Sequence, residues 1–295
     1  MTSIMDEPLD LNVAALHAAL EQVAYYTYAV ARPKPGAHPK ATPIAGVDPH
    51  HPVRAITYGD LQILVSAVAL AEYDLTALES HLQDRGWLEF LATAHQRVMT
   101  ELLESYTLLP LKLCTLYTDE DRARAALADN AELFRATLDR IEGAVEWGVK
   151  AYCDKAALAA WAAHSAPQLS QLANSVAAAS PGARYMLEKR LQRAAQQASE
   201  DLRRSYAYAS HSLLETHARA AEQNPPQPTQ IHGHSADMVL NGAYLVDEAG
   251  TDAFAAALEE LRAQYEPCGF SFELTGPWPA YSFSSGSTGS DAGDE

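Results

Sequence analysis

The sequence predicts an α+β fold in two domains, and three observations lead there. Segments with the two-residue period of strands and segments with helical period follow one another without strict strand–helix–strand repetition, which disfavours a doubly wound parallel sheet. A helical pattern of about 40 residues, roughly 60 Å at 1.5 Å per residue, occupies the middle of the second half. Around it the order reads strand, long helical insertion, strand, helix, strand, which suits a modified ferredoxin-like sheet backed by helices. The expected divisions are an N-terminal extension over 1–22, an N-terminal α+β domain over 23–141, a C-terminal ferredoxin-like α+β domain over 142–283 and a disordered polar, acidic tail over 284–295.

A short helix is expected over Asn12–Gln22, followed by a strand over Val23–Val30, where β-branched and aromatic residues precede the stop Arg32-Pro33-Lys34-Pro35-Gly36. Prolines at 33, 35, 39, 43, 49 and 52 deny the backbone donors, so the stretch to Pro52 is a loop. Extended runs follow at Val53–Tyr58 and Leu61–Leu70. From Ala77 to Tyr106 the positions Leu78, Leu82, Leu88, Leu91, His95, Val98, Leu102 and Leu103 recur with helical spacing, and Gly86 is the expected break. Leu108–Tyr117 alternates as a strand, with Leu109, Leu111 and Leu113 on one face. Thr118 and Asp121 resemble a capping box opening an amphipathic helix that carries Ala125, Leu127, Leu133, Phe134, Leu138 and Ile141.

Gly143–Cys153 alternates again, with Val145, Trp147, Val149, Ala151 and Cys153 on one side and Glu146 and Lys150 on the other. An alanine-rich helix interrupted by Pro167 leads to Ser180-Pro181, an N-cap with a favoured first-turn proline. The long helix then runs toward Pro225, either unbroken in a helical hairpin or broken near Ser205-Tyr206. A strand over Ala236–Val246, a helix over Thr251–Tyr265 and a strand over Gly269–Leu274 complete the order. The last dozen residues contain no apolar group able to anchor them.

Composition narrows the function classes. A formal charge of −17, from 38 acidic against 21 basic residues, repels phosphate backbones and anionic lipid heads, so neither nucleic acid nor a membrane is the expected partner. Cys114, Cys153 and Cys268 stand far apart and without a CxxC pair, the usage of a reduced, cytoplasmic protein. No secretory signal opens the chain, and no run reaches the roughly 18 to 20 apolar residues of a membrane-spanning helix.

The chain carries none of GxxxxGK[ST], GxGxxG, GxSxG or HExxH. His50-His51 and His232-Gly233-His234 lack cysteines or carboxylates at zinc-ligand spacing and read as solvated loop histidines. His211 and His217 fall on opposite faces of one helix. Cys114 and Cys153 read as structural thiols in strands, and Asp119-Glu120-Asp121 as carboxylates complementing a helix dipole. Arg184, Lys189, Arg190, Arg193, Arg203 and Arg204 form either the solvated face of the long helix or a contact for an acidic partner. For Tyr26 and Tyr28, which alternation places opposite Tyr25, a partner-facing aromatic surface and plain core packing both remain open. No catalytic, metal or cofactor site is expected.

Five segments, in order, resemble the GvpF/GvpL gas vesicle protein family. They are Leu108–Tyr117, Glu146-Trp147-Gly148-Val149-Lys150, Pro181–Met186, Asn241–Val246 and Leu274–Phe283. Leu113-Cys114 departs from the family's usual aromatic–glycine pair. The resemblance implies a non-enzymatic accessory or minor structural protein for gas vesicle formation, associated with the vesicles in the cytoplasm. Its implied partners are the major gas vesicle shell protein and other vesicle proteins. Three aromatic residues of these motifs, Trp147, Trp278 and Tyr281, join Tyr26 and Tyr28 as the expected partner-binding set. The alternative is a ligand-binding regulatory protein, since a ferredoxin-like sheet does not fix function.

Overall fold

In the computed structural model the described residues are 22–37, 43–73, 75–81, 83–229 and 235–284. They fall into two units, the second comprising Gly143–Phe283, each with its own antiparallel sheet and core. The expected helix over 12–22, apart from Gln22, and the polar tail beyond Ser284 lie outside the described residues.

The first unit contains β1 (Val23–Pro33), β2 (Arg54–Tyr58), β3 (Leu61–Ala69), β4 (Tyr106–Pro110) and β5 (Leu116–Tyr117). The sheet order is β2-β3-β1-β4, and β5 adds to β1 beside Tyr25 and Tyr26. Its helices are α1 (Leu70–Tyr73), α2 (Leu75–His81), α3 (Arg85–Leu103), α4 (Glu120–Asp129) and α5 (Ala131–Ile141). As the central strand, β1 is buried without interruption from Tyr26 to Ala31, which explains its nearly continuous apolar run. Leu91, Val98, Met99 and Leu102 of α3 close one core with Ala24, Tyr26 and Tyr28.

Thr27 pairs with Val65 and Ala29 with Leu64, so Tyr28 is the extra residue of a bulge. The bulge changes the inward phase. Ala24, Tyr26 and Tyr28 belong to the same core as Ala29 and Ala31, a pattern no unbroken alternation yields.

Three sequence expectations change here. The helix over Ala77–Tyr106 is two helices, and the break precedes Gly86: Asp84 caps α3, accepting from the N–H groups of Gly86 (2.8 Å) and Trp87 (3.3 Å). The strand over Leu108–Tyr117 stops at Pro110, Leu113 is 41% exposed, and Cys114 turns the chain with φ +63° before β5 resumes. The helix after Thr118 is capped by Asp119, whose carboxylate accepts from Arg122 N–H at 2.8 Å, and it divides at Asn130.

The second unit contains β6 (Ala144–Cys153), α6 (Lys155–Ser165), α7 (Pro167–Ala177), α8 (Pro181–Glu215), β7 (Ala220–Gln223), β8 (Asp237–Asp247), α9 (Thr251–Tyr265) and β9 (Phe270–Trp278). The antiparallel order is β7-β8-β6-β9. Its core joins Val149, Ala151, Cys153, Tyr244 and Val246 of the sheet to Leu214 of α8 and Phe254, Leu258 and Leu261 of α9. The 35-residue α8 passes Ser205-Tyr206 unbroken. Tyr206 stacks on Tyr265 at 4.5 Å and meets Phe270 edge-on at 5.7 Å, so burial of the ring outweighs weak local propensity. The helical spacing would carry this helix through Ala220. Instead it ends at Glu215, and Ala220–Gln223 pairs with β8.

Both sheets place their strands in the order second, third, first, fourth of the unit, and in both the connection from third to fourth strand is helical, α1–α3 in the first unit and α9 in the second. They differ between first and second strands, where the first unit has its proline-rich loop and the second has α6–α8. Among the described residues, no helix is long and apolar enough to cross a membrane.

Candidate functional site

The closing segment of the second unit gathers three of the aromatic residues singled out above. Glu146 of β6 pairs in register with Trp278 at the end of β9, and the ladder is irregular between Glu146 and Gly148. Gly276 makes this corner possible. Its φ is +122°, and a Cβ there would lie 2.9 Å from the Glu146 carbonyl, 3.1 Å from Trp147 and 3.4 Å from Trp278. Only glycine accepts both the conformation and the approach. The Gly276–Pro277 peptide is cis.

Beyond this corner the chain is tied down by a carboxylate. Glu146 Oε2 accepts from Ser282 N–H at 2.7 Å, and Oε1 accepts from the Ser282 hydroxyl at 2.9 Å. Ala280 and Phe283 are buried on either side. Glu146 is 7% exposed, and burial raises its pKa, opposed by the two bonds from Ser282 and reinforced by Glu222. Tyr281 is 37% exposed, and its hydroxyl pKa is pushed up to about 12 by burial and then by Glu146. Trp147 and Trp278 are half-buried, Trp147 packing against the core. The Trp147 indole N–H is buried without a hydrogen-bond partner among the described residues. Both motifs stand out in the sequence, but nothing in their spacing marks the Glu146–Ser282 pair that joins them.

Tyr26 and Tyr28 lie elsewhere, in the first unit, and are wholly buried. Of their two sequence readings, the fold places them in the core, where they offer no surface. The Tyr26 hydroxyl lies 2.9 Å from His95 Nδ1, and the Cys114 backbone also hydrogen-bonds it. The Tyr28 hydroxyl meets Ser66 Oγ at 2.7 Å and accepts from Val47 N–H at 2.8 Å, which fastens the proline-rich loop to the sheet. His95 is 5% exposed, and burial lowers its pKa to about 4, so the imidazole is neutral near pH 7.

Several other candidates for chemistry have structural partners among the described residues. His51 pairs with Asp48 at 2.9 Å and His211 with the Tyr244 hydroxyl at 2.9 Å, while His232 and His234 lie outside the described residues. No group of three or more His, Cys, Asp or Glu among the described residues is placed to hold a metal. Cys153 is buried with its pKa pushed up to about 11 by desolvation, the reverse of an activated thiol. Cys114 sits in the turn, not in a strand as expected, with its pKa also raised by burial.

A family model described as gas vesicle synthesis protein GvpL/GvpF matches residues 24–285. The chain belongs to this family. Among its relatives, gas vesicle protein L of a Streptomyces species is 34% identical over 260 residues, covering 88% of this chain and 91% of that protein. Gas vesicle protein F of the same strain is 28% identical over 263 residues, covering 88% and 98%. Two solved structures share the fold. They are GvpF of Microcystis aeruginosa (TM-score 0.60, 17% identity, 89% of this chain and 99% of that one) and GvpF of an Anabaena species (TM-score 0.65, 17% identity, 90% and 99%). As a GvpL/GvpF family member the chain is a gas-vesicle-related protein of α+β fold.

Proposed function

We propose that this protein is an accessory or minor structural component needed for gas vesicle formation, working by adhesion to other proteins at the vesicle. Its partners on this reading are the major shell protein and other vesicle proteins. The observation that carries the reading is the family match from residue 24 to 285, which spans both units and so concerns the whole fold. The chemistry of the interior supports it, since the buried polar groups fasten segments to one another: Glu146 holds Ser282, and Tyr28 holds Val47. We read the second unit as a modified ferredoxin-like domain, its order β7-β8-β6-β9 supporting this with α6–α8 in place of a single crossover helix, and we place the domain boundary at 141/142. Trp278 and Tyr281, with Trp147 behind them, are the aromatic residues we assign to partner contact.

Deleting the gene and following vesicles by light scattering and electron microscopy tests the role. Loss or malformation of vesicles, restored by the intact gene, is expected. Normal flotation with intact vesicles in the deletion strain overturns it.

A further inference from the structure

The first half of α8 behaves differently from the rest of the second unit. From Pro181 to Arg190 every residue except Leu187 is exposed, whereas the last turns of the helix bury Ser210 and Leu214. Residues 181–193 carry Arg184, Lys189, Arg190 and Arg193 against Glu188 alone, four positive charges to one negative in a chain whose net charge is −17.

Met186, Lys189, Arg190 and Arg193 stand at i, i+3, i+4 and i+7, which places them along one stripe of the helix. The stripe runs into a groove of about 930 Å³ between α6 and α8, lined by Arg193, Gln196, Glu200 and Arg203 of α8 and Lys155 and Ala159 of α6.

Two features separate this stripe from an ordinary solvated face. Farther along the same helix, Arg203 is paired with Glu200 and Arg204 with Asp201, so the helix neutralises its own cations there. Arg184, Lys189, Arg190 and Arg193 form no ion pair with a described residue, and Lys189 meets only the Gln192 side chain at 3.5 Å and the Tyr185 ring at 6.0 Å. Beside these open cations, Tyr185 is 63% exposed and Met186 69%. Large apolar groups left in water next to unpaired charges are the composition of a docking surface.

We propose that this stripe and groove dock an acidic amphipathic helix of another protein. Carboxylates of that helix pair with Lys189, Arg190 and Arg193, while its apolar residues cover Tyr185 and Met186 and desolvate those pairs. The charge of the chain selects a protein segment over other polyanions. A nucleic acid or anionic bilayer presents an extended field that the −17 of the whole molecule repels, whereas one short acidic helix engages only the local positive stripe. The inference rests on α8 itself and holds whether or not the partner is a vesicle protein.

The test uses the purified full chain and a fluorescent synthetic helix with glutamates and leucines at i, i+3, i+4 and i+7, followed by anisotropy at rising salt. Saturable binding that weakens with salt is expected. The triple variant Lys189→Glu, Arg190→Glu, Arg193→Glu is expected to lose at least about tenfold in affinity, and Tyr185→Ser with Met186→Ser several-fold. Because these side chains are exposed, circular dichroism and Tm of both variants should match the parent. Absence of binding by the parent at low salt, equal binding by the triple variant, or stronger capture of single-stranded DNA or phosphatidylserine vesicles by the same residues overturns the proposal. Peptide binding is read in solution and vesicle formation in cells, so either can fail without the other.

Discussion

Acid should weaken the first unit through one buried imidazole. His95 lies on α3 with its Nδ1 2.9 Å from the Tyr26 hydroxyl and its ring 5.5 Å from that of Tyr28. Burial lowers its pKa from 6.5 to about 4, so between those values the unfolded chain takes up a proton that the folded chain refuses. A folded pKa below the unfolded one makes the stabilisation fully present above pH 6.5, with progressive loss as pH falls and completion near pH 4. The difference between 6.5 and 4 corresponds to about 3 kcal/mol, a large share of the stability of an ordinary domain.

Urea unfolding from pH 7 to pH 4, following Trp87, which lies 5.9 Å from Tyr73 against this core, measures the effect. His95→Gln keeps an acceptor for Tyr26 but does not titrate, so subtracting its profile removes the contribution of the carboxylates. The difference between parent and variant should change by about 3 kcal/mol across the window. Parallel profiles, or an NMR titration placing the His95 ring near its ordinary value, would refute the assignment of a neutral buried imidazole.

Four substitutions extend the same reasoning. Tyr28→Phe removes the acceptor for Val47 N–H and the partner of Ser66, and should cost about 1–3 kcal/mol and expose the proline-rich loop to protease. Glu146→Ala releases Ser282, and limited proteolysis should then cut within Pro277–Phe283 in the variant before the parent, whereas equal cleavage rates would deny the carboxylate its fastening role. Gly276→Ala places a Cβ 2.9 Å from the Glu146 carbonyl at a φ of +122°, and should lower stability by about 1–3 kcal/mol in thermal unfolding. Cys114→Gly relieves a non-glycine residue held at φ +63° and should raise stability by up to about 1 kcal/mol, and a drop in Tm would show that the thiol's packing outweighs the strain.

Wherever local pattern and burial agree, the sequence alone located the elements. β2, β3, β6, β8 and α9 lie within a residue or two of their expected bounds, because alternation and helical spacing are themselves the burial pattern of a strand or helix packed on one layer. Five short motifs in order were enough for the family, and the long helix announced itself by some forty residues without proline, although its last turn proved to be the approach to β7. What the sequence could not settle depended on partners distant in the chain. Ala220–Gln223 has no strand composition and is extended because β8 offers it a ladder. The bulge at Tyr28 arises from register with β3, and the packing of α3 on that face turned a surface-or-core question about two tyrosines into core. Glu146 and Ser282, 136 residues apart, become one fastening only when β9 is laid beside β6. Periodicity is a property of neighbours along the chain, whereas register, closure and the pairing of buried polar groups are fixed by which strands meet, and that choice belongs to the folded molecule.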